Sequence, residues 1–182
     1  MRKSVFTLAP IFTILLAASG LTHAASNSQI TITGNVVAAT CDVSISTNSL
    51  DLGNFSQSSF TAVATPVSAS IKRFTVGLSN CQTPAAAGDT AGLVVTGQTL
   101  GGNPNIFNST GTNTGVMISN VSTPTAYITA GQKLSLATAG TTPAASDFNA
   151  KSLSLQAGLA STSTTPDIGS VSAPVLFSFA YN

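Results

Sequence analysis

The feature that most constrains the fold is the alternation of side chains over the last fourteen residues, Gly169 to Asn182. Apolar residues or glycine occupy every odd position of this stretch, and serine or asparagine occupies several of the even ones. A period of two is typical of a β-strand with one buried face. No strand follows it in the chain, so we expect its second edge to be covered by another molecule. The odd positions are Gly169, Val171, Ala173, Val175, Phe177, Phe179 and Tyr181.

The rest of the chain alternates in the same way over shorter stretches, and no twelve consecutive residues have the 3.6-residue period of an amphipathic helix. β-Branched and aromatic residues, including nine phenylalanines, are too frequent for a disordered chain. Short strands separated by turn residues are typical of a β-sandwich or barrel. Strands are predicted at residues 30–37, 39–45, 50–52, 71–78, 93–96, 116–121, 125–129, 133–137, 151–159 and 169–182.

Local turn chemistry refines two of these predictions. Residues 125–129 and 133–137 flank Ala130 and Gly131, so they are predicted to pair as a hairpin. Pro174 lies within the predicted last strand and cannot donate a ladder hydrogen bond. A strand at the edge of a sheet tolerates such a proline.

The first 24 residues are predicted to be a secretory signal peptide. Two basic residues precede an apolar run at residues 8–16, and small residues follow at a cleavage site that ends at Ala24. The apolar run is too short to span a membrane, and no other run reaches about 18 residues. Cleavage after Ala24 leaves 158 residues, enough for one domain, and cleavage after Ala25 is the near alternative.

Charged side chains are sparse beyond residue 24. That part of the chain has four basic and five acidic residues, and it contains no Glu, Trp or His. Nucleic-acid binding needs a basic stripe that the sequence lacks. A Ser-His-Asp or Cys-His catalytic set and a histidine metal site need residues that are missing. We therefore predict that the protein is not an enzyme and uses no metal or cofactor.

The two cysteines, Cys41 and Cys81, are an even number in a chain predicted to be exported. Disulfides form in such compartments, so we expect these residues to be bonded to each other. The alternative, a reactive thiol, requires a neighbouring cation or histidine that lowers the pKa of the thiol.

Four sequence features occur together in one known family. A Gly-x-Val-x-x-x-x-Cys pattern runs from Gly34 to Cys41, and Cys81 follows forty residues later. The chain also has a glycine, Gly169, fourteenth from its C-terminus and a penultimate tyrosine, Tyr181. In this order, and behind a signal peptide, these features make the chain resemble subunits of chaperone–usher pili, the type 1 pilin family. The resemblance extends over the chain beyond the signal peptide.

The resemblance implies an all-β fold: an incomplete immunoglobulin-like sandwich that lacks its last strand and contains one disulfide. It implies that a periplasmic chaperone fills the resulting groove with one of its own strands. At the outer-membrane usher, the N-terminal extension of a neighbouring subunit then replaces that strand. The chain would be exported through the periplasm to a cell-surface fimbrium. An exposed apolar strand edge needs such a cover, since it is otherwise a template for aggregation.

The same resemblance assigns parts of the chain to these roles. We expect a signal peptide at residues 1–24, a donor-strand extension at residues 25–33 and a pilin domain at residues 34–182. Donor and groove lie on different parts of one subunit, so their contact would build an open filament. The expected donor residues are Ile30, Ile32 and Gly34. The expected acceptor-groove residues are Gly169, Val171, Val175, Phe177, Phe179 and Tyr181.

Three alternatives remain open from the sequence. The stretch around Ile30 and Ile32 can instead be an ordinary first strand packed within its own domain. The subunit can itself bind a host receptor, although two tyrosines and no tryptophan offer few aromatic platforms for sugars. Only nine residues separate Ala24 from Gly34, which leaves both a shaft and a tip-adaptor position possible.

Overall fold

In the computed structural model, the described part of the chain, residues 39–182, folds into two antiparallel β-sheets. Helical structure in this part is limited to three 3₁₀ turns, and no helix there has the length and apolarity to cross a bilayer. The predicted all-β class is therefore confirmed. The strands are β1 (Asp42–Ile45), β2 (Lys72–Ser79), β3 (Thr90–Gly97), β4 (Thr99–Leu100), β5 (Asn103–Phe107), β6 (Thr114–Asn120), β7 (Thr123–Tyr127), β8 (Lys133–Thr138), β9 (Ser152–Ser161) and β10 (Val175–Tyr181). The 3₁₀ turns are Gln57–Ser59, Ser68–Ser70 and Ala145–Asp147.

The two sheets differ in size and in how their edges are formed. The larger sheet has the order β1-β2-β9-β6-β5-β4, and β7 also pairs with β6. The smaller sheet has the order β10-β3-β8. Within residues 39–182 the strand pairs of both sheets are antiparallel. In the strand order of these residues, β1 lies at one edge of the large sheet and β10 at one edge of the small sheet.

The core lies between the two sheets and follows from the alternation in the sequence. In β2, Phe74, Val76 and Leu78 are buried, whereas Lys72 and Arg73 at the start of the strand are exposed. The facing side chains of β3 are equally buried, and the two sets belong to one hydrophobic cluster. Burial of one such side chain stabilises the fold by about 1.5–3 kcal/mol. The facing β3 residues are Ala91, Leu93 and Val95.

A disulfide joins Cys41 to Cys81, as predicted. Cys41 comes directly before β1 and Cys81 follows β2, and the Cα atoms of the two cysteines are 4.1 Å apart. Asp42 pairs with Ser79 in the adjacent ladder, so the bond fastens the end of a hairpin-like strand pair. In the chain-entropy model, closing a loop of this length stabilises the folded state by about 4 kcal/mol.

The predicted hairpin of residues 125–129 and 133–137 is wrong. β7 pairs with β6 in the large sheet, whereas β8 pairs with β3 in the small sheet. The connection between β7 and β8 crosses from the large sheet to the small sheet, and its backbone is hydrogen-bonded to both. The N–H of Ile128 donates to the carbonyl of Ile118 at 2.8 Å, and the N–H of Gly131 donates to the carbonyl of Val95 at 2.7 Å.

The predicted short strand at Leu50 and Leu52 is also absent from the described structure. The Oδ1 atom of Asp51 accepts the N–H of Gly53 at 2.9 Å, and Gly53 has a φ of 95°. This local turn competes with an extended ladder. Leu52 nevertheless packs against the core, so the apolar pattern predicted burial but not strand pairing.

The last strand is shorter than predicted, because β10 begins at Val175 and not at Gly169. Pro174 therefore lies directly before the strand instead of within it. Residues 169–174 take a separate course, with one isolated bridge between Ser172 and Thr110.

Gly92 provides a test of how closely the small sheet is packed. The register of β3 against β8 shifts between Ala91 and Gly92, and a Cβ atom on Gly92 would lie 2.5 Å from the carbonyl oxygen of Leu134. We expect Gly92→Ala to lower the free energy of unfolding by about 1–3 kcal/mol, since backbone must move to relieve the overlap. Urea denaturation of the purified protein would measure the loss.

Gly101→Ala is the matched control for this substitution. A Cβ atom at Gly101 would meet nothing within 4 Å. Its unfolding free energy should stay within about 0.5 kcal/mol of the wild-type value. Equal stability of Gly92→Ala and the wild type would contradict the packing described for β3 and β8.

Candidate functional site

One edge of β10 has no strand partner among residues 39–182. The N–H of Thr90 donates to the carbonyl of Asn182 at 2.9 Å, and the N–H of Asn182 donates to the carbonyl of Thr90 at 3.1 Å. In an antiparallel pair, such doubly bonded positions alternate with positions whose backbone groups point to the opposite edge. Even-numbered residues of β10 therefore bond to β3, and odd-numbered residues direct their N–H and C=O groups away from it.

The odd-numbered residues of β10 also carry the apolar side chains that pack against the core. Val175, Phe177, Phe179 and Tyr181 are each only partly buried, although they belong to the alternating apolar set. Leu176 on the opposite face is 63% exposed. The uncovered edge thus combines free backbone groups with incompletely buried apolar side chains.

Beside this edge lies a groove of ≈ 1120 Å³ that runs between the two sheets. Residues 47–57, which follow β1, form one wall, and residues 166–174, which precede β10, form the other. The floor consists of inward side chains of the large sheet together with Phe177 of β10. The floor residues from the large sheet are Phe74, Val116, Ile118, Ala157 and Leu159.

Phe74 and Phe177 connect the two sheets at the groove. Their ring centroids are 6.0 Å apart and the ring planes are inclined by 61°, an edge-to-face arrangement. Phe74 is 8% exposed, whereas Phe177 is only half-buried and lines the groove. A side chain inserted above this pair would complete its burial.

The structure brings together most of the residues predicted for the acceptor groove. Gly169, Val171, Val175 and Phe177 line it, although the first two lie before β10. Phe179 and Tyr181 lie farther along β10 and pack in the core beyond the groove. The predicted donor residues Ile30, Ile32 and Gly34, like the predicted signal peptide, lie outside the described residues.

Sequence reasoning missed the floor and the far wall of the groove. The floor residues all lie in predicted strands, but nothing in their spacing shows which of them the small sheet leaves uncovered. Within the wall at residues 47–57, only a short strand at residues 50–52 was predicted, and the position of this wall at the groove follows only from the fold. The short run Leu50-Asp51-Leu52-Gly53 was the one available signal, because a glycine and an aspartate next to leucines favour a turn over a strand.

The charges at the groove are few and of one sign. Asp51 and Asp167 are the charged residues among those that line it, and they sit on opposite walls. The lining is otherwise apolar or neutral and polar. Side-chain fit and backbone hydrogen bonding, more than charge, therefore govern which molecule this groove can hold.

Tyr181 fastens the end of β10 to the loop between β2 and β3. Its hydroxyl donates to the carboxylate of Asp89 and accepts the N–H of Ala85 at 2.9 Å. The hydrogen bond from Tyr181, followed by the N–H of Ala86 at 2.7 Å, lowers the pKa of Asp89. The same bond raises the pKa of Tyr181, because donation to the negatively charged carboxylate stabilises the protonated form of the hydroxyl.

No group of three or more potential metal ligands lies together within residues 39–182. The open strand edge above an apolar floor has the geometry to bind an extended polypeptide. The fold and the disulfide define its class: an incomplete immunoglobulin-like β-sandwich of the pilin type.

Comparison with known proteins agrees with this class. Residues 30–182 match the family model described as fimbrial protein, so the chain belongs to the fimbrial protein family. The crystal structure of the P pilus rod subunit PapA is similar, with 20% sequence identity and a TM-score of 0.53. That match covers 86% of this chain and 100% of the PapA chain, and it shows a shared fold.

A second similar structure is that of a chaperone–usher pilus, described in terms of rod uncoiling, with 17% sequence identity. That match covers 87% of this chain and 97% of the chain in that structure. Its TM-score of 0.49 is too low to define a common fold. The comparison with curated proteins gave no significant match.

The bond between Tyr181 and Asp89 predicts a specific dependence of stability on pH. Because the pKa of Asp89 is lowered on folding, its contribution is complete above the pKa of the unfolded chain, about 3.9. It is lost as the pH falls through the folded-state pKa. We expect Asp89→Asn to be less stable than the wild type at neutral pH and to lose less stability on acidification. Urea midpoints measured from about pH 7 to about pH 2 would show both effects.

Two tyrosine variants control this experiment. Tyr181→Phe should reproduce the reduced acid sensitivity, since it removes the donor to Asp89. Tyr127→Phe removes a hydroxyl that makes no hydrogen bond within residues 39–182, and the stability of this variant should depend on pH as that of the wild type does. Parallel acid curves for Asp89→Asn and the wild type would show that the bond is not formed in solution.

Proposed function

We propose that this protein is a structural subunit of a chaperone–usher fimbria that polymerises by donor-strand exchange and serves bacterial adhesion. The subunit accepts a strand along the uncovered edge of β10 and donates its own N-terminal residues 25–33 to the next subunit. The observation that carries this proposal is the unpartnered edge of β10 beside the apolar groove. Membership of the fimbrial protein family supports it.

The energetics of the groove support strand addition as the mode of binding. An added strand would pair with the N–H and C=O groups of the odd-numbered β10 residues, which point to the free edge. It would also cover Phe177 and Val175, which are only half-buried. Burial of two isoleucine side chains from the donor, Ile30 and Ile32, is worth roughly 3–6 kcal/mol before any hydrogen bonds are counted.

The proposed partners follow from the same exposed edge. A strand edge with an apolar face promotes aggregation, so a subunit needs a temporary cover before it meets its neighbour. We assign that role to a periplasmic chaperone and the exchange step to an outer-membrane usher. The resulting location is a cell-surface fimbrium, which agrees with the P pilus rod subunit among the structural matches.

The proposed role is structural and not catalytic. The five carboxylates of residues 39–182 are dispersed, and those of Asp51, Asp89 and Asp147 accept backbone N–H groups in local turns. An aspartate engaged in this way stabilises a turn, which is a structural use of its side chain. The groove instead recognises a strand.

Deletion of residues 26–33 tests the donor assignment. The truncated chain should still accept a strand but should not donate one, because Ile30 and Ile32 are removed. Mixed with the untruncated chain, a tagged truncated chain should occur only at filament ends, as seen by electron microscopy and by size-exclusion chromatography. Filaments formed by the truncated chain alone would refute the assignment.

A matched pair of substitutions within the same segment gives a finer control. Ile30→Asp combined with Ile32→Asp should block donation, since both charges would enter an apolar groove. Thr31→Asp alters the opposite face of the same predicted strand and should leave assembly intact.

Phe177→Asp tests the acceptor edge. The substitution places a carboxylate on the groove floor above Phe74, so a bound donor strand would bury an unpaired charge at a cost of several kcal/mol. We expect loss of binding of a synthetic peptide with the sequence of residues 26–33, measured by fluorescence anisotropy. Circular dichroism before and after peptide addition establishes whether the variant is folded.

Leu176→Asp is the neighbouring control on β10. Leu176 points away from the core and is 63% exposed, so a charge there remains in water. This variant should bind the peptide as the wild type does. Equal loss in both variants would mean that the peptide does not enter along the inner face of β10.

A further inference from the structure

Residues 169–174 were predicted to belong to the last strand, but they are part of the groove wall formed by residues 166–174. We refer to residues 166–174 as the strap. The strap has mostly exposed side chains, and it does not pair with β3, the strand next to β10. Its backbone is instead bound by polar groups of the loop that follows β5.

Ser109 and Thr110 of that loop make the central contacts with the strap. The carbonyl of Ser172 accepts the N–H of Ser109 at 2.7 Å and its hydroxyl at 3.0 Å. The N–H of Ser172 donates to Oγ1 of Thr110 at 2.9 Å, and that hydroxyl donates to the carbonyl of Ser170 at 3.4 Å. Thr110 and Ser172 form an isolated antiparallel bridge.

These contacts fall only on even-numbered residues of the strap, as the bonds from β10 to β3 do. The loop therefore takes the position along the strap that β3 takes along β10. The backbone N–H and C=O groups of Gly169, Val171 and Ala173 have no hydrogen-bond partner within residues 39–182, and all three residues line the groove. Pro174 has an even number, so its missing N–H falls on the side away from the free edge.

We propose that the acceptor edge is continuous from Gly169 to Tyr181, and that Ser109 and Thr110 are positioning residues that hold the strap in line with β10. This inference rests on the proposed function and specifies its binding site. The occupant to which it commits is the N-terminal segment of a second copy of this chain.

The length of this edge changes the expected donor. Thirteen residues of extended chain measure about 43 Å, whereas the eight residues 26–33 measure about 26 Å. A donor for the whole edge must therefore continue beyond Thr33. Residues 34–37 extend the alternation of Ile30 and Ile32 through Gly34 and Val36.

We assign an antiparallel orientation to the donor, because the strand pairs of both sheets within residues 39–182 are antiparallel. Side chains of directly opposed residues share one face, so even-numbered donor residues must oppose odd-numbered acceptor residues. Registers that differ by two residues meet this condition equally, and we assign the one that sets Ile30 opposite Phe177 in the groove. It pairs Ile30 with Phe177, Ile32 with Val175, Gly34 with Ala173 and Val36 with Val171.

Hydrogen exchange of backbone amides in the untruncated chain tests this inference with two synthetic peptides. The peptide of residues 26–37 should slow exchange at Phe177 and Phe179 and also at Val171 and Ala173. The peptide of residues 26–33 should slow exchange at the two phenylalanines but not at Val171 or Ala173, since it ends where the strap begins.

Substitutions at Thr110 separate the strap from β10. With the longer peptide bound, Thr110→Val should speed exchange at Val171 and Ala173 about three- to tenfold, the loss expected for one hydrogen-bonding group. Exchange at Phe177 should be unchanged. Thr110→Ser keeps the hydroxyl and should retain the wild-type protection, and Thr125→Val on β7 is the control for losing a threonine hydroxyl elsewhere.

The possible outcomes distinguish this inference from the proposed function. Protection at Phe177 without protection at Val171 under the longer peptide would overturn the continuous edge and leave strand addition standing. Unchanged strap protection in both Thr110→Val and Ser109→Ala would overturn the positioning role. Absence of protection at Phe177 with either peptide would overturn strand addition itself.

Discussion

The structure depends on one unmet requirement: the backbone groups of β10 need partners on two sides, and residues 39–182 supply them on one. Backbone N–H and C=O groups are costly to leave unpaired once apolar side chains cover them. Here the same residues that point their backbone groups outward also carry the half-buried apolar side chains. A single added strand meets both needs, which explains why one groove can serve for assembly.

Neutral polar side chains fix the boundary of that groove in a chain with few charges. The amide of Gln57 donates to the carbonyl of Pro166 across the groove at 2.5 Å. The Oδ1 atom of Asn113 accepts the N–H of Asp167 at 3.0 Å. Such bonds need no strand ladder, so they can hold an irregular segment in place while its other edge stays open. Each of these bonds stabilises the groove wall at residues 166–174 by only about 1 kcal/mol, so breaking one of them requires little free energy.

Much of the fold could be predicted from the alternation of side chains, since the period of two selects the residues of β2 and β10 that face the core, although those of β10 are only partly buried. The hairpin at Ala130 and Gly131 failed because turn residues specify a local reversal and not the sheet in which each flanking strand finds a partner. The crossing between sheets is set by long-range bonds, such as that from Gly131 to Val95. Sequence alone carries no signal for such a partner.

The sequence by itself determined the all-β class, the pairing of Cys41 with Cys81 and the apolar face of the last strand, because these follow from local periodicity and from the count of cysteines. It could not determine where that strand ends its pairing with β3, or which core residues stay uncovered. Tertiary structure decided both. The loop at Ser109 and Thr110 hydrogen-bonds the backbone of the strap, which does not pair with β3. The small sheet has only three strands within residues 39–182, and it leaves the large sheet uncovered at Phe74.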